Sequence, residues 1–117
     1  NPKFVIGHVE KMEDHPDSDH LHVVQVNIGE KSVQLVSGSP NMQEGIYVVV
    51  VLPGAIMPSG QIIWPGQLRG VDSFGMIASA RELRLNNAPD QPGALILPED
   101  FGKPGDAFDF NKGDRLL

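Results

Sequence analysis

The sequence contains no cysteine and no threonine among its 117 residues. Without cysteine the chain cannot form disulfides, bind zinc through thiolates or use a thiol nucleophile, and this suits a reducing compartment. Long apolar runs are also missing, since the longest is VVVVL at 48–52. A membrane-spanning helix needs about 20 apolar residues, so no membrane segment is predicted. No secretory signal is visible and the first residue is Asn1, so we expect a cytoplasmic protein and a fragment of a longer polypeptide.

Basic side chains are scarce: 9 Lys and Arg stand against 15 Asp and Glu, giving a formal net charge of −6. Proteins that bind nucleic acid mainly through phosphates are usually basic, so this composition excludes an extended basic clamp. The charges are unevenly distributed, however. Residues 8–22 hold five carboxylates and one lysine, whereas residues 58–87 hold three arginines against Asp72 and Glu82. A small neutral-to-positive zone on an acidic body predicts modest, salt-sensitive binding.

Sequence features that catalysis or metal binding would need are absent too. No Gly-x-Ser-x-Gly elbow or phosphate-binding Gly-x4-Gly-Lys-Ser/Thr loop occurs, and five serines lie in predicted turns or caps: Ser37, Ser39, Ser59, Ser73 and Ser79. One cluster of side chains could in principle bind a metal: His15, Asp17, Asp19, His20 and His22. Its residues follow no recognised metal-binding spacing, and a proline interrupts them. We therefore predict no enzyme activity, no catalytic residues, no metal and no cofactor.

Alternation of apolar and polar residues predicts short β-strands between turns rich in Gly and Pro. FVIGHVEKM at 4–12 is the first strand, in which Gly7 is predicted to mark a bulge or a sharp bend. The near-continuous apolar run at 46–55 predicts a strand buried on both faces. The other predicted strands lie at 21–29, 32–39, 61–64, 75–77 and 94–97. We interpret 1–117 as one domain, with a barrel over about 4–110 and a frayed tail at 111–117.

SARELRL at 79–85 is the one predicted helix. Ser79 is a suitable N-cap and Glu82 follows at capping-box spacing, while Ala80 and Leu83 would face the protein body. The strands and turns predict an all-β barrel or sandwich. The late helix favours a small barrel of the oligonucleotide-binding (OB) type.

The best binding candidates among the side chains are Arg69, Arg81 and Arg84, because guanidinium groups suit phosphates and stack on bases. Trp64 and Phe74 are candidate stacking surfaces, but core packing is the role we predict for both. From the residues alone, a binding module and a plain structural domain are equally supported.

Three segments, in order, resemble the tRNA-binding domain family: HPDSDHLHVVQVNIGE, VSGSPNMQEGIYVVVVLPGAIMPSG and LRGVDSFGMIASARELRL. The family signals correspond to His15-Pro16 with Asp19 and Leu21, and to residues 38–41, 68–76 and 79–83. MPSG, ASARELRLNNAP and the short tail look most like the stand-alone bacterial proteins of the Gram-positive type. The N-terminal domain of the phenylalanyl-tRNA synthetase β-subunit is the close competitor.

The resemblance implies an all-β, five-stranded Greek-key OB-fold barrel with one short helix and extra C-terminal strands. It implies a non-catalytic module that binds tRNA by shape and backbone contacts, and a homodimer. The residues it implies for RNA contact are Asn41, Arg69, Ser73, Met76, Ser79 and Arg81. The alternative is an OB-fold protein-interaction or structural domain with little RNA binding. His20 stands where the family commonly has Lys, Ser37 stands where it often has Cys, and lysine is sparse over 58–90. Because the missing lysines remove positive charge, we expect weaker tRNA affinity than in basic relatives.

Overall fold

The computed structural model describes residues 3–117, which form a strongly bent antiparallel sheet with the strand order β3-β2-β1-β4-β7. A separate two-stranded ladder pairs β5 with β6. The strands are β1 (Phe4–Asp14), β2 (His22–Asn27), β3 (Ser32–Ser37), β4 (Tyr47–Val51), β5 (Gly66–Leu68), β6 (Val71–Ser73) and β7 (Met76–Ile77). A short helix, α1 (Phe110–Asp114), follows them. In this part of the chain no helix is long and apolar enough to cross a membrane.

The long strand β1 organises the sheet because its two halves pair with different neighbours. Its first half pairs with β4 and its second half with β2. The pairing with β2 shifts between Val9 and Lys11, so the bulge predicted at Gly7 lies further along the strand. Gly7 instead marks a close approach, since a Cβ there would lie 2.6 and 2.7 Å from side-chain carbons of Val26 and Val50. Glycine is therefore required by packing across the inside of the sheet.

Residues 72–74 close the barrel against the free edge of β3. The Phe74 N–H donates to the Gln34 carbonyl at 2.8 Å, and the Gln34 side-chain amide donates to the Asp72 carbonyl at 3.0 Å. The Ser73 hydroxyl accepts the Val36 N–H at 3.0 Å. The result is a nearly closed five-stranded barrel, which confirms the predicted all-β, OB-like fold.

Two apolar cores explain why β4 is hydrophobic throughout. The barrel interior contains Val48 and Val50 with side chains from β1, β2 and β3. The opposite face of β4 presents Val49 and Val51 to a second core that includes Phe4 and the segment 78–108. Val48, Val49, Val50 and Val51 are each 0% exposed, so the prediction of burial on both faces is confirmed.

The helix predicted at 79–85 is wrong. Residues 80–84 form a turn, in which Arg84 has φ 54° and the Leu85 N–H bonds to the Ala80 carbonyl. A left-handed residue ends a helix, so the chain reverses after a single turn. The anchoring of this turn is as predicted, because Ala80 and Leu83 are buried in the second core.

The C-terminal predictions also need correction. The tail predicted to fray contains helix α1, whose N-cap Asp109 accepts the Lys112 N–H at 3.1 Å. The Phe110 ring at its start packs edge-on against Phe4 and Phe108. The strands predicted at 61–64 and 94–97 are reduced to single bridges, Ile56 with Ile62 and Tyr47 with Leu97. Aromatic packing and loop geometry, which leave no periodic pattern, determine these segments.

Candidate nucleic-acid interface

A groove of about 580 Å³ runs beside β7 and brings together three of the six predicted site residues. Met76 and Ser79 line one wall, and Arg81 projects from the turn that follows. The facing walls are formed by residues 36–40 and 90–93. The groove combines a thioether, hydroxyl groups and one guanidinium, so it can accept a phosphodiester backbone at a single strong cationic point.

The turn that presents Arg81 is closed by a reciprocal pair of hydrogen bonds. The Ser79 N–H donates to Glu82 Oε1 at 2.9 Å, and the Glu82 N–H donates to Ser79 Oγ at 3.1 Å. The predicted capping box is therefore present, although no helix follows it. Because Glu82 and Ser79 satisfy each other, Glu82 orients the turn and does not need an RNA contact.

Arg81 is held in the groove by an acidic partner. Its Nη1 lies 2.6 Å from Asp90 Oδ1, and both side chains are well exposed, at 62% and 93%. An ion pair this exposed stabilises the fold by about 1 kcal/mol at most. Asp90 also lines the groove, so it lowers the positive potential that a phosphate would meet there.

Asn41 lies beside this groove and is used for structure. Its Nδ2 donates to the Ala94 carbonyl at 2.9 Å, and its Oδ1 accepts the Ala94 N–H at 3.0 Å. With Ser79 and Arg81 it lines a smaller cavity of about 200 Å³. The side chain therefore fastens the loop after β3 to segment 94, and its contact with RNA stays a prediction.

We expect Asn41→Ala to lower the free energy of unfolding by about 2 kcal/mol, because both backbone groups of Ala94 lose their partner. Asn41→Asp keeps the acceptor for the Ala94 N–H and places a carboxylate against the Ala94 carbonyl, so it also destabilises the protein. Urea denaturation measures both variants. A stability equal to wild type in the alanine variant would show that water replaces these bonds without loss.

The remaining two site residues lie on the β5–β6 hairpin and do not line the Arg81 groove. Ser73 is 7% exposed, and its hydroxyl accepts the Val36 N–H and donates to the Gly75 carbonyl at 3.1 Å. Arg69 is exposed in the hairpin turn with φ 49°, and its Nη1 donates to the Asp17 carbonyl at 3.1 Å. Ser73 thus supports the barrel edge, while Arg69 remains accessible to a phosphate.

His15 fixes the position of this hairpin. It is 3% exposed, its Nδ1 accepts the Asp17 N–H at 2.9 Å, and its Nε2 lies 2.9 Å from the Leu68 carbonyl. Because Nδ1 accepts, the ring proton is on Nε2 and is donated to Leu68. His15 thereby joins the acidic loop to the strand before Arg69. Among residues 3–117, no three potential metal ligands come together.

The acidic end of β1 is electrostatically distinct from the grooves. His8 Nδ1 lies 3.1 Å from Glu10 Oε1, and this hydrogen bond holds the pKa of the Glu10 carboxyl below its usual range. The Glu44 carboxylate, from the loop before β4, accepts the N–H of Met12 on β1 at 2.9 Å. Glu10 and Glu44 are both acidic, so this end of the barrel disfavours an approaching phosphate group.

Two aromatic residues are placed differently from the prediction. Trp64 is 68% exposed and Phe74 is 37% exposed, so core packing is wrong as the role of either side chain. Lys31 Nζ lies 4.9 Å from the centre of the Phe74 ring. The sequence did contain a signal for the exposure of Trp64, because the prolines and glycines near it prevent a regular buried strand.

Comparison with known proteins places this geometry in a family. The family model described as "Putative tRNA binding domain" matches residues 4–107. The Bacillus subtilis protein named "Putative tRNA-binding protein YtpR" is 52% identical over 110 residues, which cover 94% of this chain and 54% of YtpR. The phenylalanine–tRNA ligase β subunit of Oceanobacillus iheyensis is 43% identical over 104 residues, covering 86% of this chain and 13% of the subunit.

Solved structures agree on the fold. A methionyl-tRNA-synthetase-related protein from Pyrococcus horikoshii superposes with a TM-score of 0.61 at 21% identity, covering 87% of this chain and 84% of that chain. The C-terminal domain of Plasmodium vivax p43 gives a TM-score of 0.60 at 26% identity, covering 93% and 63%. This chain spans about half of YtpR and a small fraction of the ligase subunit. By its matching residues and its barrel, the chain belongs to the tRNA-binding domain family.

Proposed function

We propose that this chain is a non-catalytic module that binds tRNA by shape and backbone contacts. The observation that carries the proposal is the groove in which Met76, Ser79 and Arg81 meet, in a chain whose family is tRNA-binding. The groove offers Arg81 and hydroxyl groups, and such contacts position a nucleic-acid backbone without reading its sequence. Arg69, on the hairpin turn, supplies a second phosphate contact, while Asn41 and Ser73 act by shaping the surface.

The low positive charge sets the expected strength of binding. Arg81 is paired with Asp90, and the net charge of the chain is −6, so few counterions are released when tRNA binds. We therefore propose modest affinity that falls as salt rises. Homodimerisation and a cytoplasmic location are further parts of this proposal, and they follow from the resemblance to the family. Residence in a longer polypeptide is also proposed, and it is supported by the greater length of the relatives.

A salt series with tRNA and a duplex-RNA control tests the function. We expect wild type to bind tRNA more tightly than the duplex, with log affinity falling as log salt rises. Arg69→Ala with Arg81→Ala should flatten that slope by about one unit for each lost phosphate contact. Absence of tRNA binding at low salt would favour the protein-interaction alternative.

Asp90→Asn provides a gain-of-function arm in the same series. Removing this carboxylate frees Arg81 and raises the potential in the groove, so tRNA affinity should increase about three- to tenfold. Asp100→Asn makes the same change in net charge on an exposed turn outside the groove, and it is the matched control. Equal gains from the two variants would show that only net charge matters and that the groove is not the site.

A further inference from the structure

A second surface of the barrel runs along both sides of β5. On one side, a groove of about 520 Å³ is lined by Lys31, Gln34 and Phe74. On the other, a groove of about 420 Å³ is lined by Trp64 and Leu68. The two share a wall formed by residues 65–67 and Ser73. The Trp64 groove also reaches Met76, so this surface is continuous with the Arg81 groove.

The composition of this surface points to bases more than to phosphates. Of the residues described, those lining the Trp64 groove are all uncharged, and the Phe74 groove contains one Lys and one Asp. An uncharged surface gives little attraction for a phosphate backbone, whereas exposed aromatic rings stack on bases of any sequence. Trp64 is 68% exposed, although burying its ring would stabilise the fold, so folding alone does not account for its position.

The backbone at Phe74 is fixed by hydrogen bonds to the edge of β3. Its N–H is bonded to the Gln34 carbonyl at the edge of β3, and the preceding Ser73 is fixed by its hydroxyl. Gln67 lines the same groove, and its amide donates to Asp72 Oδ1 at 2.9 Å, which leaves its Oε1 available as an acceptor. A ligand that stacks on Phe74 therefore meets the Gln67 acceptor in the same groove, and the backbone there is already fixed.

Lys31 is the cation of this surface, and its Nζ lies over the face of the Phe74 ring, 4.9 Å from the ring centre. A base that stacks on this face displaces the flexible Lys31 side chain towards the edge of the ring. A base that stacks on the ring would bring its own phosphate within reach of this flexible side chain. Asp72, on the other side of the groove, repels phosphate, so the nucleotide backbone is confined to the Lys31 side.

We propose that the surface formed by Lys31, Trp64, Gln67 and Phe74 is a binding site for unpaired RNA bases. Phe74 and Trp64 stack on the bases, Gln67 bonds to a base edge, and Lys31 contacts a flanking phosphate. The inference rests on the proposed function and extends it, because recognition by shape alone requires no contact with bases. Only unpaired nucleotides can use the site, since paired bases in a helix expose neither face.

Trp64 is the single tryptophan of the chain, so its fluorescence reports on this surface directly. The experiment titrates the protein with a short oligouridylate and with an abasic ribose-phosphate oligomer of the same length. We expect quenching of Trp64 by the oligouridylate and none by the abasic oligomer at the same concentration. Phe74→Leu should weaken oligouridylate binding about 5- to 100-fold, the range found for loss of one stacked base.

Trp64→Leu is followed by the anisotropy of a labelled oligouridylate, and the same weakening is expected. Leu116→Ala is the matched control, because Leu116 is exposed to the same 37% as Phe74 and lies in the C-terminal segment. Equal binding of the abasic and base-bearing oligomers overturns the inference, since phosphates alone would then account for binding. Unchanged affinity in the Trp64→Leu and Phe74→Leu variants also overturns it.

A protein ligand is the other occupant this surface could take. If Trp64→Leu dissociates a dimer in sedimentation experiments and leaves oligouridylate affinity unchanged, the surface is a contact between copies and the inference fails. The tRNA salt series is a separate test. Loss of the base site with a retained tRNA salt slope leaves the proposed function intact, whereas oligouridylate quenching without tRNA binding removes only the proposed function.

Discussion

Gly75→Ala is expected to lower the free energy of unfolding by about 4 kcal/mol or more, which is among the largest effects of a single substitution. Gly75 joins β6 to β7 with φ 108°, a conformation that an L side chain rarely adopts. A Cβ there would overlap the Val51 carbonyl oxygen and lie 3.3 Å from its carbon. The backbone of β4 would have to move, and the pairing of Val51 with Met76 would be lost.

Gly60→Ala separates the steric effect from the dihedral effect. Gly60 has φ 93°, but an added Cβ would meet nothing within 4 Å. Its substitution should cost only the strain of the left-handed backbone, about 1–2 kcal/mol. Guanidinium denaturation of both variants gives the comparison. Equal losses would mean that the close approach of Gly75 to Val51 contributes nothing to stability.

The consequence of Gly75→Ala for binding follows from its position. Met76 lines the Arg81 groove and Phe74 lines the proposed base site, and Gly75 lies between them in the sequence. A shift of this turn would therefore disturb both surfaces together. The conformational demand at Gly75 explains why a Ser-x-Gly-Met segment is a strong sequence signal for this barrel, beyond any contact with RNA.

The strands β1 to β4 were predictable from their apolar patterns, whereas the short strands β5 and β6 were not predicted. In β2, Val24 and Val26 are 0% exposed and their alternate neighbours are partly exposed, so the pattern shows directly in the sequence. The uninterrupted valines of β4 likewise predicted two buried faces. Closure of the barrel was harder to predict from the sequence, because it depends on hydrogen bonds from the side chains of Gln34 and Ser73 to backbone groups about 37 residues away.

The turn at 79–85 shows where local reasoning failed. Its residues have good helix propensity and a capping box, yet Arg84 takes a left-handed conformation and the Asn86 N–H bonds to Asp114 Oδ1. That distant carboxylate holds the chain where a helix would otherwise continue, so tertiary contacts override propensity. The same limitation applies to Arg81, because its partner Asp90 could not be identified from sequence spacing alone.

The site residues divide by accessibility in a way that residue types do not reveal. Arg69 and Arg81 are exposed, whereas Ser73 is buried and the Asn41 side-chain amide is hydrogen-bonded to the Ala94 backbone. A motif that identifies a binding family therefore includes residues that build the surface as well as residues that could touch RNA. This division is physical, since a hydroxyl whose donor and acceptor are both used inside the fold has little left for a ligand.

Leu83→Ala is the second substitution for which we expect a large effect, a loss of about 3 kcal/mol or more. Leu83 is 2% exposed in the core between the sheet and the C-terminal segment, and deletion of a buried leucine leaves a cavity. Glu82→Ala, at the adjacent position, removes only one exposed hydrogen bond of the capping box and should cost about 1 kcal/mol or less. Thermal and urea denaturation give both values.

This comparison decides what holds Arg81 in place. In a helix, a capping box stabilises all the turns that follow it, whereas here the chain reverses after Leu85 and the cap protects a single turn. Burial of Leu83 should therefore dominate, and tRNA binding by Glu82→Ala should stay within about threefold of wild type. A larger loss of stability in Glu82→Ala than in Leu83→Ala would show that the hydrogen bonds, and not the apolar anchor, fix the wall of the groove.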